Sequence, residues 1–230
     1  MKAKVLVTGG AGFLGSHVVD DLVEQFDVVV LDDLSGGFAD NVNRRAQFVQ
    51  GSILDHALVD RLFAEHKFKH VFHVAAYAAE GLSHFIKRFN YQNNLIGSIN
   101  LINASVNHGV KCFVFTSSIA GSVALAGASI YSATKAAVIS LGKTLAVELA
   151  PRGVRVNVLS PGPIDTPILK KVGLPADQQK AFEETIVAKS LLKRFGTSDE
   201  VARAARFLLS EDSSNITGTE LIIDGGVRLN

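Results

Sequence analysis

The stretch that most limits what this chain can fold into is Thr8-Gly9-Gly10-Ala11-Gly12-Phe13-Leu14-Gly15, set at the end of the β-branched run Ala3–Thr8. Gly9, Gly12 and Gly15 stand three apart between that run and an amphipathic segment carrying Val18, Val19, Leu22 and Val23. The pattern predicts strand, tight turn and helix. The first glycine suits the turn, the second lets the backbone approach a pyrophosphate, and the third lets the helix pack closely on the sheet. The helix start, with Phe13 and Leu14 in its first turn, would aim free N–H groups and partial positive charge at the phosphates. The unit is therefore expected to bind a dinucleotide.

A second strand, Asp27–Leu31, ends in Asp32-Asp33. Asp32 falls about twenty residues after the glycine turn, where an acidic group reaches the ribose hydroxyls of such a ligand. A carboxylate there, with Asp33 beside it, would repel a 2′-phosphate. No Arg or Lys follows closely, so NAD is expected rather than NADP. A third strand, Gln47–Gln50, leads into Gly51-Ser52-Ile53, and a helix spans His56–His66. The fourth strand, His70–Ala75, opens into Ala75-Ala76-Tyr77, where small residues let the backbone pass close to a cofactor. A long helix, about Ser83–His108, contains Asn94.

The strand Lys111–Phe115 delivers the chemistry. Ser118 is a hydroxyl donor just past the strand end, Tyr131 a phenol thirteen residues on, and Lys135 an ammonium four residues later. Residues four apart share a helix face. At about 5 Å and an effective dielectric of about 20, the ammonium favours the ionised phenol by roughly 3 kcal/mol. Such a phenol can exchange a proton with an alcohol or carbonyl near neutrality. The helix continues to Ala150, a sixth strand is read at Gly153–Leu159, and Pro161-Gly162-Pro163-Ile164-Asp165-Thr166 turns at its carboxyl end. Ile168–Lys189 is a polar, helix-prone insert placed where a substrate lid would lie, a lid read as extending to about 195. A last helix opens at a Ser198 cap, and the final strand is Glu220–Ile223.

Here the residues resemble the short-chain dehydrogenase/reductase family, whose active site is Ser, Tyr and Lys at this spacing. The resemblance implies that Tyr131 is the general acid/base, that Ser118 orients the substrate oxygen, and that Lys135 holds the nicotinamide ribose. It matches Asn94 to an asparagine that some members use in a water-mediated proton relay. A buried Asn bonding backbone in a bent helix is the equal alternative. It also implies that Ser52 and Ile53 flank the adenine, although an aspartate often stands where Ser52 does. Pro161, Gly162, Ile164 and Thr166 would back the nicotinamide and its carboxamide. Residues 1–119 resemble the extended, nucleotide-sugar epimerase branch through T-G-G-A-G-F-L-G, V-L-D-D-L-S-G-G and F-H-V-A-A. From about 120 onward, Y-S-A-T-K-A-A and N-V-L-S-P-G-P-I-D-T resemble the single-domain oxidoreductase branch. A recombined or engineered chain with a seam near 119–122 is one reading, and a divergent natural chain the other.

Alternating strands and helices over 230 residues predict one α/β domain. Its doubly wound parallel sheet is expected to order its seven strands third, second, first, fourth, fifth, sixth, seventh, with helices on both faces. A net charge of +1 without a basic run argues against nucleic acid. No apolar run reaches membrane-spanning length, and no leader signature precedes the first strand, so a cytoplasmic protein is expected. The lone Cys112 is read as an inert core thiol. His66, His70, His73 and His84 form no metal-binding pattern, so no metal is expected. The expected function is an NAD-dependent oxidoreductase acting on a small-molecule secondary alcohol or ketone. The rivals are a nucleotide-sugar epimerase and an NAD-binding scaffold without turnover. By resemblance, the two long helices pair across a two-fold axis, giving a homotetramer or homodimer.

Overall fold

In a computed structural model, which describes residues 2–77, 85–167 and 176–230, the core is one parallel sheet of seven strands. These are β1 (Lys4–Thr8), β2 (Asp27–Asp32), β3 (Gln47–Gln50), β4 (His70–His73), β5 (Cys112–Thr116), β6 (Arg155–Pro161) and β7 (Glu220–Ile223). Their order is β3-β2-β1-β4-β5-β6-β7, as expected. The middle strands are nearly all apolar because both sheet faces are covered. Successive side chains point to opposite faces. Thus Leu6, Val71 and Phe113 enter one core, with α2 (His56–His66), α4 (Gly97–Asn107) and α5 (Ser129–Leu149). Val5, Val7, Phe72 and Val114 enter the other, with α1 (Phe13–Leu22) and α7 (Ser198–Leu209).

Register brings the functional strand ends level. Thr8 pairs with Leu31 on one side and His73 on the other, and Thr116 pairs with Leu159. Ligands bind beyond the carboxyl ends of such sheets, where strand order reverses, here between β1 and β4.

β2 and β5 each end one residue later than the sequence expectation, and larger departures lie in β4, the long helix, β6 and the cap of α7. β4 stops at His73, and Val74–Tyr77 leave the sheet. The long helix predicted from Ser83 to His108 is, over its described part, α3 (Lys87–Tyr91), a π-turn (Gln92–Ile96) and α4. The backbone stays right-handed helical through both joins. β6 begins two residues late because Gly153 caps the preceding turn in the left-handed conformation (φ 68°). Helix α7 is capped by Thr197 rather than Ser198: the Thr197 hydroxyl accepts from Glu200 N while the Glu200 carboxylate accepts from Thr197 N. Arg194 clamps the same carboxylate through two bonds, at 2.9 and 2.6 Å. These bonds hold Glu200 down at about 2. Of the expected lid, residues 168–175 lie outside the described residues, and 176–189 form helix α6 (Ala176–Lys189).

Candidate active site

The glycine turn is built by crowding. Gly9 has φ 73°, and a Cβ there would stand 2.7 Å from Ala75 Cα and N. A Cβ on Gly15 would stand 2.0 Å from Gly9 O. The third glycine thus lets α1 close onto the turn itself rather than onto the sheet. Gly12 caps α1 without a side-chain bond, and no acidic residue lies in the first turn. The amides of Phe13, Leu14 and Gly15 have no carbonyl one turn earlier to bond within the helix. The site therefore fits a pyrophosphate.

Asp32 closes the far wall. It is buried, and its carboxylate accepts from Ala11 N (3.0 Å) and Leu34 N (2.8 Å). The first bond ties the second strand's end to the glycine turn; the second holds Leu34 at φ 62°. Asp33 is exposed and closes a local turn with Ser35 N (2.9 Å). The loop then folds back: Phe38 N and Asn41 Nδ2 both donate to Ala11 O. Of Arg44 and Arg45, the nearest basic residues in sequence beyond the loop, Arg45 is bonded to Glu24 and to Val23 O.

On the near wall Ser52 caps its own turn, accepting from Leu54 N at 3.2 Å. Ile53 packs against Gly97, whose missing Cβ would lie 2.4 Å from Ile53 Cδ1. Ala75 and Ala76 are half-buried beside Gly9. At the nicotinamide end, Gly162 N donates to Ile223 O, and Ile164 bridges to Gly196. The Ile164 side chain is buried in the core with α7. Thr166 is half-buried and Pro161 ends β6.

Three of the four sequence-predicted catalytic residues, Ser118, Tyr131 and Lys135, lie just past the end of β5 and on α5. Tyr131 and Lys135 are both buried on α5. Lys135 Nζ lies 5.6 Å from the Tyr131 ring centroid and donates to Thr116 O at 3.0 Å. Ser117 Oγ donates to Lys135 O at 2.9 Å, and Ser118 Oγ accepts from Ala120 N at 3.2 Å. The turn after Ser118 lies hard on α5, since a Cβ on Gly121 would stand 2.8 Å from Lys135 C. Ser118 is thereby fixed against the helical turn that carries Lys135.

Asn94 sits in the π-turn, and its side chain is fully engaged. Oδ1 accepts from Tyr77 N (2.7 Å); Nδ2, with two protons, has Tyr77 O (3.2 Å), Asn90 Oδ1 (3.1 Å) and Thr134 Oγ1 (3.4 Å) within reach as acceptors. These bonds are those of a buried Asn gripping backbone in a bent helix, and they bear on the side chain alone, leaving the relay reading untouched. Sequence reasoning singled out none of Thr8, Ser98 and Thr134, gave Ser117 no role, and placed His73 only among histidines without a metal-binding pattern. The F-H-V-A-A motif was the available signal for His73.

Cys112 is buried, with its thiol pushed up to about 12 by burial, in keeping with an inert core thiol. Among the described residues no group of His, Cys, Asp and Glu could hold a metal, and no helix is long and apolar enough to cross a membrane.

This strand order, with a glycine turn on the first strand and Ser, Tyr and Lys beyond the fifth, defines a dinucleotide-binding α/β protein. Comparison narrows the class. Residues 38–228 match the family model described as enoyl-(acyl carrier protein) reductase. The chain is 41% identical over 95 residues to dehydrogenase/reductase SDR family member 6 of Danio rerio, covering 41% of this chain and 38% of that one. It is 43% identical over 106 residues to UDP-glucose 4-epimerase of Pasteurella multocida, covering 43% of this chain and 31% of that one. The chain spans about a third of the length of the curated relatives it matches. Among solved structures, ElxO with NADP bound superposes with a TM-score of 0.84 at 25% identity, all of both chains being covered. The chain belongs to the short-chain dehydrogenase/reductase family, whose fold implies a nicotinamide cofactor.

Proposed function

We propose that this chain is an NAD-dependent oxidoreductase that interconverts a secondary alcohol and its ketone. One observation carries the reading: Lys135 Nζ lies over the Tyr131 ring while the Ser117–Gly121 turn is bolted to the Lys135 backbone. Ser118 Oγ donates a hydrogen bond to the substrate oxygen and orients it. The Tyr131 hydroxyl gives that oxygen a proton in reduction and takes one in oxidation. The Lys135 ammonium, anchored on Thr116 O, favours the phenolate that oxidation needs. Gly9, Gly12, Gly15 and the first turn of α1 would hold the pyrophosphate. Asp32 would hold the adenosine ribose, Ser52 and Ile53 the adenine side, and Pro161–Thr166 the nicotinamide side. The nicotinamide supplies or accepts the hydride.

NAD preference rests on Asp32, with Asp33 next to it and Arg45 turned away onto Glu24. A 2′-phosphate against that carboxylate meets like charge in a partly buried place, at a cost of several kcal/mol. ElxO binds NADP; the carboxylate is the feature that argues for NAD here. NAD should bind at least about tenfold tighter than NADP, or about 1.4 kcal/mol, and Asp32→Ser should narrow the gap. Calorimetry with both cofactors decides it, and equal affinity would remove Asp32 from the ribose. A panel of secondary alcohols and ketones with NAD and NADH tests the reaction. The Pasteurella multocida match favours a second reading, sugar-nucleotide epimerisation. Turnover of a UDP-hexose with tightly retained cofactor would select it, and cofactor binding with no turnover on either panel would leave a scaffold.

A further inference from the structure

Beneath the candidate site runs a line of buried hydrogen bonds. Ala75 N donates to Thr8 Oγ1 (3.4 Å), Thr8 Oγ1 meets His73 Nδ1 (2.7 Å), His73 Nε2 meets Ser98 Oγ (2.8 Å), and Ser98 Oγ donates to Asn94 O (3.0 Å). Thr8, His73, Ser98 and Asn94 are all buried. The two ends fix the direction, because an amide N–H only donates and a carbonyl only accepts. Between them stand two hydroxyls and one imidazole. One arrangement uses every proton: the Thr8 hydroxyl donates to Nδ1, Nε2–H donates to Ser98 Oγ, and the Ser98 hydroxyl donates to Asn94 O. The reverse tautomer leaves Asn94 O or Nε2 without a proton and gives the Thr8 hydroxyl none of these acceptors. The imidazole is therefore neutral, with its proton on Nε2.

What the line joins gives it meaning. Thr8 precedes Gly9, and Ala75 walls the space where a Gly9 side chain would begin. At the other end, Asn94 grips Tyr77 and reaches Thr134 Oγ1, and Thr134 Oγ1 donates to Tyr131 O at 2.8 Å. Asn94 lies in the π-turn, where helix hydrogen bonds change register. His73 bonds both Thr8 at the β1 end and Ser98 on α4. Its ring lies among Phe113 and Phe115, and burial and then the Lys135 charge push its basicity down to about 3.

We propose that His73, as the neutral Nε2–H tautomer, is a positioning residue that couples the glycine turn to the π-turn and thereby sets Tyr131 relative to the cofactor. The inference rests on the oxidoreductase reading for its kinetic consequence but not for its geometry. Buried networks of this kind act as units, so deletions along one line do not add.

Nitrogen-15 NMR of histidine-labelled protein at neutral pH, with His73→Gln identifying the signal, tests the geometry without any substrate. A pyrrole-like Nε2 and an accepting Nδ1 are expected; an Nδ1–H tautomer or an imidazolium overturns the proposal. Ser98→Ala, which cuts the line at a small residue, should leave the far-ultraviolet circular dichroism unchanged. It should lower kcat at least about tenfold on a ketone that turns over, with KM moving less than threefold. The double variant with His73→Phe should be no more than about twofold worse than the poorer single one. His73→Gln, which can donate to Ser98 and accept from Thr8, should recover part of the loss. Ser98→Ala within twofold of wild-type kcat, or losses that multiply, would reduce His73 to a core residue. If His73→Phe does not fold, Thr8→Val replaces it in the cycle with the same expectation. If no ketone turns over, the oxidoreductase reading fails on its own. NADH affinity, read by nicotinamide fluorescence, then judges the coupling: Ser98→Ala should weaken it at least about threefold, and an unchanged affinity overturns it.

Discussion

A single hydroxyl separates two readings of Tyr131. Tyr131→Phe removes the proton that the proposed chemistry needs and leaves the ring under Lys135 Nζ. Turnover should fall at least about a hundredfold while NADH still binds and the fold persists. Steady-state rates on a working ketone, beside a fluorescence titration, check this, and retained turnover would move the acid/base elsewhere. Two histidines make a second residue-scale prediction. Burial lowers His73 to about 3 and, helped by Arg155 and Lys69, His70 to about 4, from 6.5. Above the unfolded value both are neutral in both states and contribute no pH dependence. Below it the unfolded chain binds protons that the folded chain refuses, so stability falls as the pH drops from about 6.5 towards 4. The limiting slope is about 1.4 kcal/mol per pH unit for each histidine. Urea midpoints between pH 7 and 4.5 should decline, and His73→Phe should flatten the decline; equal slopes in both proteins would contradict the burial argument.

At the scale of elements, β3, α2 and β7 fall on the residues that sequence reading gave them, because each is closed by local signals. α2, for example, has the Asp55 carboxylate accepting from Leu58 N at its start and Lys67 in the left-handed conformation at its end. The placement of the candidate trio, Ser118, Tyr131 and Lys135, was legible for the same reason: thirteen and four residues of spacing place a strand end and one helix face. The π-turn was not legible, since its register depends on Asn94 gripping Tyr77, seventeen residues away. The Thr8–His73 bond spans sixty-five residues, so no local pattern could announce it. The glycine turn offers a paired test. Gly15→Ala would drive a Cβ to 2.0 Å from Gly9 O, whereas Gly36→Ala meets nothing within 4 Å. Gly15→Ala should weaken NADH binding more than about tenfold or cost about 2 kcal/mol or more of stability. Gly36→Ala should stay within about 0.5 kcal/mol of wild type. Calorimetric scans and NADH titration compare the two, and similar behaviour would mean that the turn can relax.

Over the whole molecule, the two halves with different resemblances form one body. β5 and β6 meet through five residue pairs across the proposed 119–122 seam. α1 and α7 are joined by Arg206 Nε to Asp21 Oδ2 at 2.7 Å and His17 Nδ1 to Asp199 Oδ1 at 3.0 Å. A recombined origin is therefore compatible with a continuous core, and assembly becomes the sharper question. Phe89, Tyr91, Ile96 and Ile99 are exposed along α3, the π-turn and α4, and Val147 is 75% exposed on α5. On α5, Ala133 and Ala136 are exposed as well, while Ala146 faces the core. Large apolar side chains repeated along neighbouring helices mark a surface that gains by being covered. A second copy covers it most simply about a two-fold axis, where each patch meets itself. We expect a homotetramer, or a homodimer if only this surface closes. Light scattering at micromolar concentration should give two or four times 24.5 kDa. Ile99→Glu places a charge on this surface and should shift the mass downward while leaving circular dichroism unchanged. A wild-type monomer at those concentrations, or an assembly indifferent to Ile99→Glu, would show that these helices face solvent.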